Sequence, residues 1–528
     1  MSKATDLAKT STKAGFNYLW GLVISTVISL VGTLSLTIML DTEVYALYGL
    51  AFSIPTLIAL FRGLGIYHAI VRYTAQYRAE NRETEIRSIF LAGIAFEIIM
   101  GLILSLVSFF MAGYFATTFY KRPEMINLIQ IASFTILVNG LVSAATAVFI
   151  GTEKTIYYSI MIICQSIVKT LLIIGLVIAG FGTLGAVTGL TLATITAGLI
   201  GLAFTIHLYR KIPKNPNYKL ELNAYTKEML KFSTPIFIST LLSGVLAQSY
   251  IPIYGYFFNE NILLGNYYVA SNFIILINFF SLPITNVLFP AFSKLDIKKD
   301  KTTLKNIFQS SVKYSSLLVI PVTAIVMCLS TPAVLTLYTN NKWPLAPLFL
   351  TLIAAGHLLS ATGNLSVLNL INSQGKTKLN LKFALLTATI GFPMAFFLIK
   401  YYGIFGLIFT PILAPLPSLI LSIIWVKKHY DITINWTSSA KILLSSAITA
   451  TLTYLLINFM TFQPAIELAI GTIFFITLLL GVLILTKTLS IHDLNNLRAI
   501  TTGLGPITKI IHLILNTIEK IITKLKLT

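Results

Sequence analysis

The stretch FNYLWGLVISTVISLVGTLSLTIML, Phe16–Leu40, contains no charged residue and lies between Lys13 and Asp41. A helix crosses the roughly 30 Å hydrocarbon core of a bilayer with about 20 apolar residues, so this block can span it with some tilt. Further apolar blocks follow at Val44–Ile70, Ser88–Ala112, Met125–Ile150, Ile156–Ala179, Thr183–Tyr209, Phe232–Phe257 and Ile262–Phe292. The series continues with Ile307–Leu329, Pro344–Ile371, Phe383–Ile399, Ile404–Val426, Ile442–Met460 and Ala465–Leu485. Lipid leaves no partner for unpaired backbone groups, so the chain is expected to be all-α, a polytopic bundle of about 14 transmembrane helices. Phe16–Leu40 lacks a convincing small-residue cleavage site and reads as a retained first span that also serves as targeting signal.

Composition agrees: 56% of residues are hydrophobic and 11% charged, and a soluble domain carries about twice that charged fraction. The net charge of +20 is concentrated in every second gap. Examples are Lys3, Lys9 and Lys13, then Arg72, Arg78, Arg82 and Arg87, Lys154, the run from Arg210 to Lys231, and Lys294 to Lys305. Lys376 to Lys382, Lys427, Lys428, Lys441 and the C-terminal tail continue the pattern, whereas the alternate gaps hold only Lys121, Arg122, Lys342 and Lys400. The positive-inside rule then puts both termini in the cytoplasm of a multi-pass cell-membrane protein. The basic excess reads as a topology signal and a contact for anionic membrane lipids, not as a nucleic-acid footprint.

Enzyme chemistry finds little support. Cys164 and Cys328 both lie inside apolar blocks, which leaves no disulfide framework and no CxxC metal site. There is no HExxH, carboxylate cluster or nucleophile elbow, and Gly375-Lys-Thr377 has Leu370 where a phosphate-binding loop needs its first glycine. Asn364-Leu-Ser366 and Asn435-Trp-Thr437 fall in a span and a cytoplasmic gap, so neither sequon is a credible glycan acceptor. No gap can hold an extramembrane domain, so any site must be built between spans. The expectation is a transporter with no metal, no cofactor and no catalytic residue.

Blocks 1–6 and 7–12 share landmarks about 220 residues apart. Tyr48-Gly-Leu-Ala51 is matched by Tyr267-Tyr-Val-Ala270, Glu153-Lys-Thr155 by Gly375-Lys-Thr377, and Gly182-Thr-Leu-Gly185 by Gly403-Ile-Phe-Gly406. A duplication of an even number of spans gives two copies of equal orientation, related by an axis along the membrane normal. The expected organisation is a six-helix lobe over 1–209, a second over 210–430, additional helices over 431–488 and a tail over 489–528. In the tail, Ile507, Ile510, Ile511, Ile514, Ile518, Ile521, Ile522 and Leu525 recur at helical spacing. An amphipathic helix lying on the inner leaflet, or packed on cytoplasmic loops, is expected there.

Leu50–Tyr77 reads LAFSIPTLIALFRGLGIYHAIVRYTAQY, and PIFISTLLSGVLAQSYIPIYGYFF later leads to LGNYYVASNFI. These stretches resemble the Wzx-like flippases, the polysaccharide-transport branch of the multidrug/oligosaccharidyl-lipid/polysaccharide (MOP) flippase superfamily. The likeness includes the Tyr-x-x-Tyr-Gly-Leu of Tyr45–Leu50, Gly-Leu-Gly with Ala-x-x-Arg-Tyr over Gly63–Tyr73, and Leu288-Phe-Pro-Ala-Phe-Ser293. It covers about residues 10–430. The resemblance implies two six-helix lobes around a cavity that opens alternately to either side. It also implies a lipid-linked oligosaccharide as cargo, its polar head in the cavity and its tail in the bilayer. Glycosyltransferases or a polymerase of the same pathway are the implied partners, and the protein is expected to be a monomer.

Charged side chains within spans are costly and usually face a cavity or a partner. Lys169 sits near the middle of block 5, as cavity lining for a phosphate or as a structural or snorkelling group. Arg62 and Glu97 lie at equal depth in blocks 2 and 3. They are expected to pair, either structurally or as a pair that exchanges for substrate phosphate, which an arginine fork suits. The second half offers no acid or base at comparable depth except Lys382 near an end. Its polar set is Gln248, Asn272, Asn278, Asn286, His357 and Asn364, of which Gln248 and Asn272 are the candidate sugar contacts. A cation-coupled drug exporter of the same superfamily is disfavoured because block 1 holds no acid before Asp41 and block 7 holds none. A lipid II flippase is disfavoured because Arg62 is the one arginine in the first spans. A membrane glycosyltransferase or polysaccharide polymerase would need a large outer loop or an acidic motif.

Overall fold

The computed structural model describes residues 3–213, 222–293, 300–338 and 342–486, together with 295, 297, 488, 493, 494, 498, 516 and 519. Side chains of 3–16, 235, 236, 239, 282–287 and 289–291 are outside the description. The periodic tail helix expected over 489–528 therefore falls almost wholly outside the described residues.

The described chain is helical nearly throughout and has no strand among the described residues. The first helices are α1 (Lys3–Met39), α2 (Thr42–Ala59), α3 (Ile66–Ala79), α4 (Glu83–Tyr114), α5 (Ile126–Gly151), α6 (Thr155–Leu176), α7 (Gly182–Lys211), α8 (Leu222–Phe257) and α9 (Asn261–Phe273). There follow α10 (Ile275–Ser293), α11 (Lys301–Cys328), α12 (Ser330–Leu337), α13 (Ala346–Ala355), α14 (Asn364–Ser373), α15 (Thr377–Leu413), α16 (Leu416–Tyr430), α17 (Trp436–Asn458) and α18 (Pro464–Leu485). Among the described residues ten stretches are long and apolar enough to cross a membrane, eleven with the bent pair α13–α14. The protein is a multi-pass membrane protein. Two of the ten, Thr155–Lys211 and Thr377–Tyr430, are 57 and 54 residues long and each hold two of the blocks read from the sequence.

Glycine divides both. Gly182 (φ 51°, ψ −128°) and Gly403 (φ 56°, ψ −126°) adopt the same backbone, in a region essentially closed to side chains. After Gly182 the chain reverses. A Cβ on Gly185 would lie 3.0 Å from that of Leu176, and one on Gly189 would lie 3.0 Å from the Ile173 backbone, so α6 and α7 pack as an antiparallel hairpin. Gly406 abuts the Leu398 carbonyl in the same way. A second sequence landmark also recurs in backbone form. Glu153 (φ 57°) and Gly375 (φ 72°) are left-handed, and the next residues close the same bond, Lys154 N to Phe149 O at 2.8 Å and Lys376 N to Ile371 O at 3.1 Å.

The chain packs as two compact units, Met1–Tyr268 with Ala384–Thr410, and Val269–Phe383 with Pro411–Thr528. In the first unit, α1 and α6 run parallel at close range. Ser159 Oγ donates to Asn17 O at 2.6 Å and Thr170 Oγ1 to Ile28 O at 3.0 Å, while Gly21 and Gly32 make room for Ser159 and Thr170. In lipid there is no hydrophobic drive between helices, so small residues and hydroxyl bonds supply the association. α4 and α5 pack antiparallel by the same means: Ser105 Oγ donates to Ser133 O at 2.9 Å, and Gly101 lies against Leu137.

In the second unit α11 lies antiparallel to the segment 356–373, through Ser316 Oγ to Ser360 O at 3.1 Å and Ser311 Oγ to Ser366 Oγ at 3.0 Å. That segment bends by 49° at Gly363, whose φ is 72°. Phe292, Phe308, Val367 and Leu370 form a core at its end. Asn435 of the second sequon caps α17, its Oδ1 accepting from Ser438 N at 3.1 Å.

Candidate functional site

The block Val44–Ile70 is not one helix. α2 ends at Ala59, and Leu60, Phe61 and Arg62 bond back three residues rather than four, to Leu57, Ile58 and Ala59. Leu64 (φ 40°) and Gly65 (φ 80°) then turn the chain into α3. Gly65 is required twice over, because a Cβ there would also lie 2.8 Å from that of Ser233 on α8. Arg62 thus projects from a break in a span, the kind of non-helical backbone that membranes tolerate only inside protein or beside a cavity.

Arg62 meets Glu97 of α4. Its Nε donates to Glu97 Oε2 at 2.8 Å and its Nη1 to Ile136 O of α5 at 3.3 Å. The Glu97 side chain is 1% exposed and that of Arg62 13%. Gly140 makes the approach possible: a Cβ there would lie 2.9 Å from Glu97 O and 3.2 Å from both Arg62 Cδ and Glu97 Oε2. The pair is unsaturated. Glu97 Oε1 is buried with no donor, and Arg62 Nη2 has no acceptor among the described residues. Breaking such a pair from one side leaves a buried ion uncompensated.

Lys169 stands apart. On α6 it shares a stripe with Tyr158, Ile162 and Gln165, away from the exposed stripe Ile156, Ile160, Ile167 and Leu171. Ser159, Ser166 and Thr170 take the side towards α1. Lys169 makes no hydrogen bond or ion pair among the described residues. It lies 14 residues past Thr155, roughly 21 Å along the helix, deeper than a four-carbon stem reaches from either end. Tyr158, at the other end of the stripe, stacks on Tyr18 of α1 with centroids 4.6 Å apart.

The remaining candidates are dispersed. Gln248 is exposed on α8, in the first unit. Asn272 is half-buried on α9, in the second unit, and is already engaged in an interaction. Asn278 and His357 are half-buried, Lys382 is exposed, Asn364 has a buried Oδ1 without a partner among the described residues, and the Asn286 side chain lies outside the described residues. Sequence reasoning missed Lys313, six residues into the block Ile307–Leu329, which corrects the view that the second half holds only Lys382. Lys313 Nζ bonds Asp493 Oδ2 at 2.5 Å, and Tyr314 Oη donates to Asp493 Oδ1 at 3.2 Å. It is therefore a paired cation, unlike Lys169. The second unit also contains a cavity of about 860 Å³ between α11, α13 and α17, lined by Met327, Leu335, Leu348, Leu443, Ala447 and Tyr454 among others.

Residues 11–296, more than half of the chain, match the polysaccharide biosynthesis protein family. The chain belongs to that family. It is 23% identical over 377 residues to an uncharacterised membrane protein of Methanocaldococcus jannaschii, covering 68% of this chain and 72% of that one. The fold is similar to that of the lipid II flippase MurJ in an inward closed conformation, with TM-score 0.67, 16% identity, and 87% of this chain and 97% of that chain covered. An inward-facing multidrug resistance MATE transporter of the MOP superfamily gives TM-score 0.60 and 15% identity, covering 78% of this chain and 98% of that one. The fold of this family member is thus the MOP fold expected from its sequence.

Proposed function

We propose that the protein is a flippase that carries a lipid-linked oligosaccharide from the cytoplasmic to the outer leaflet by alternating access, with both termini cytoplasmic. The observation that carries this reading is Lys169, a cation at mid-span without a partner among the described residues, on a stripe turned away from the exposed apolar face. A fixed cation at that depth is costly and suits an anionic cargo such as a polyisoprenyl phosphate or pyrophosphate. It opposes a cationic drug as cargo. Arg62 adds an unused guanidinium nitrogen at a broken span, and the phosphate would compete with Glu97 for it. Gln248 and Asn272 would offer hydrogen bonds to the sugars.

The paired backbones at Gly182 and Gly403, and at Glu153 and Gly375, support two repeated lobes over 1–209 and 210–430. No covalent step is required of the protein. It would act as a monomer, receiving cargo from glycosyltransferases and delivering it to a polymerase. Cells depleted of the protein should retain the complete lipid-linked glycan in the inner leaflet, inaccessible to a lectin added outside. Undiminished display of the glycan lipid on the outer leaflet would contradict the assignment.

A further inference from the structure

α5 carries a polar face that its packing does not use. Ser133, Leu137 and Gly140 meet α4, and Gly198 and Gly201 of α7 close on Val138 and Ala145. Between these two contacts Phe134 emerges, 47% exposed. Asn139 stands five residues on, about 140° around the helix, on a face shared with Thr135, Ser143 and Thr146. The two threonines are buried and donate to their own helix, Thr135 Oγ1 to Ala132 O at 2.5 Å and Thr146 Oγ1 to Val142 O at 2.7 Å. Asn139 is exposed and Ser143 half-buried, and neither makes a hydrogen bond among the described residues.

Depth makes this unusual. α5 runs from Ile126 to Gly151, which puts Asn139 roughly 20 Å from either end. A carboxamide bared to hydrocarbon at that depth would have no partner at all, so the face borders water or a polar ligand. Arg62 reaches the same turn. Its Nη1 donates to Ile136 O at 3.3 Å, and a Cβ on Gly140 would lie 3.2 Å from its Cδ. The arginine side chain thus crosses α5 over 136–140, the turn that bears Asn139. Helical side chains lean toward the N-terminus, so Asn139 leans back over that turn and Ser143 follows one turn later.

A carboxamide and a hydroxyl beside a guanidinium suit a ligand with hydroxyls next to an anionic group. The carboxamide donates and accepts at once, and the serine hydroxyl does the same, as sugar hydroxyls require of their partners. A hydrocarbon tail offers them nothing. We propose that Asn139 and Ser143 bind the sugar joined directly to the phosphate that Arg62 receives, an inference that rests on the flippase reading above. Asn139 is then a specificity residue, acting on the glycan and not on the lipid phosphate.

Binding to the purified full-length protein in lipid nanodiscs tests this with two probes. One is a bare polyprenyl pyrophosphate, the other the polyprenyl-pyrophosphate glycan extracted from cells that make the protein. Asn139→Ala should weaken binding of the glycan-bearing probe about tenfold, the loss of roughly two neutral hydrogen bonds. It should leave the bare probe and the melting temperature unchanged, because no bond within the protein among the described residues is lost. Ser143→Ala should show the same split at about threefold, and it decides the matter if Asn139→Ala does not fold. Unchanged affinity for the glycan-bearing probe would overturn the inference, as would equal losses for both probes. If the wild-type protein binds neither probe, the flippase reading falls and this inference with it. Wild-type binding of both probes with no split in either variant sinks the inference alone.

Discussion

Lys169→Ala is expected to slow flipping of a lipid-linked oligosaccharide about tenfold or more while leaving the protein at least as stable. The two effects part company because of how Lys169 sits. It has no partner to lose among the described residues, so removing it orphans nothing, and it relieves the cost of an ammonium at mid-span. A hydrogen bond from a charged donor to a phosphate contributes about 1.5–3 kcal/mol, which corresponds to roughly one or two powers of ten in rate. Lys169→Arg should keep most of the rate. Initial flipping rates at equal protein abundance, set beside melting temperatures, check this. A stable Lys169→Ala variant with wild-type rates would remove Lys169 from the transport path.

Arg62→Ala should behave in the opposite sense and cost stability. It leaves Glu97 buried with both carboxylate oxygens unpartnered, in a site tightened by Gly140. Losses on breaking a buried pair from one side are about 3–5 kcal/mol, a large share of what holds a fold together. Arg62→Gln combined with Glu97→Gln should recover much of that loss, because two neutral amides replace two ions. Flipping should not recover, since the guanidinium that would receive phosphate is gone. Melting curves of the two single variants and the double variant give the coupling directly. Additive losses would show that the pair does not act as a unit, and full transport by the double variant would limit it to a structural role.

The membrane class and the pairing of Arg62 with Glu97 were both legible in the sequence, for the same reason. Apolar run length and residue depth are one-dimensional properties, and a bilayer turns them directly into position. The two glycine reversals were also visible as landmarks, since Gly182 and Gly403 supply a backbone that other residues resist. The break at Leu60–Gly65 was hidden by the hydropathy of the whole stretch, although Gly63-Leu-Gly65 beside an arginine was a usable signal. Lys313 stands in plain sight in the block Ile307–Leu329, but its pairing does not, because Asp493 lies 180 residues away and charge pairing across that distance leaves no periodic trace. In the sequence Arg122 stands in a gap between apolar blocks. Only packing shows it to be buried, at 4% exposure.

The proposed activity is the movement of an anionic glycan lipid across the bilayer. Its most direct test is reconstitution into liposomes carrying a polyisoprenyl-pyrophosphate oligosaccharide with a fluorescent label on the sugar. A membrane-impermeant quencher added outside reads the leaflet of each label over time. The protein should carry inner-leaflet label to the outer leaflet at a rate that rises with its density in the vesicles and falls with Lys169→Ala. Quenching that plateaus at the outer-leaflet fraction, as in protein-free vesicles, would contradict the account.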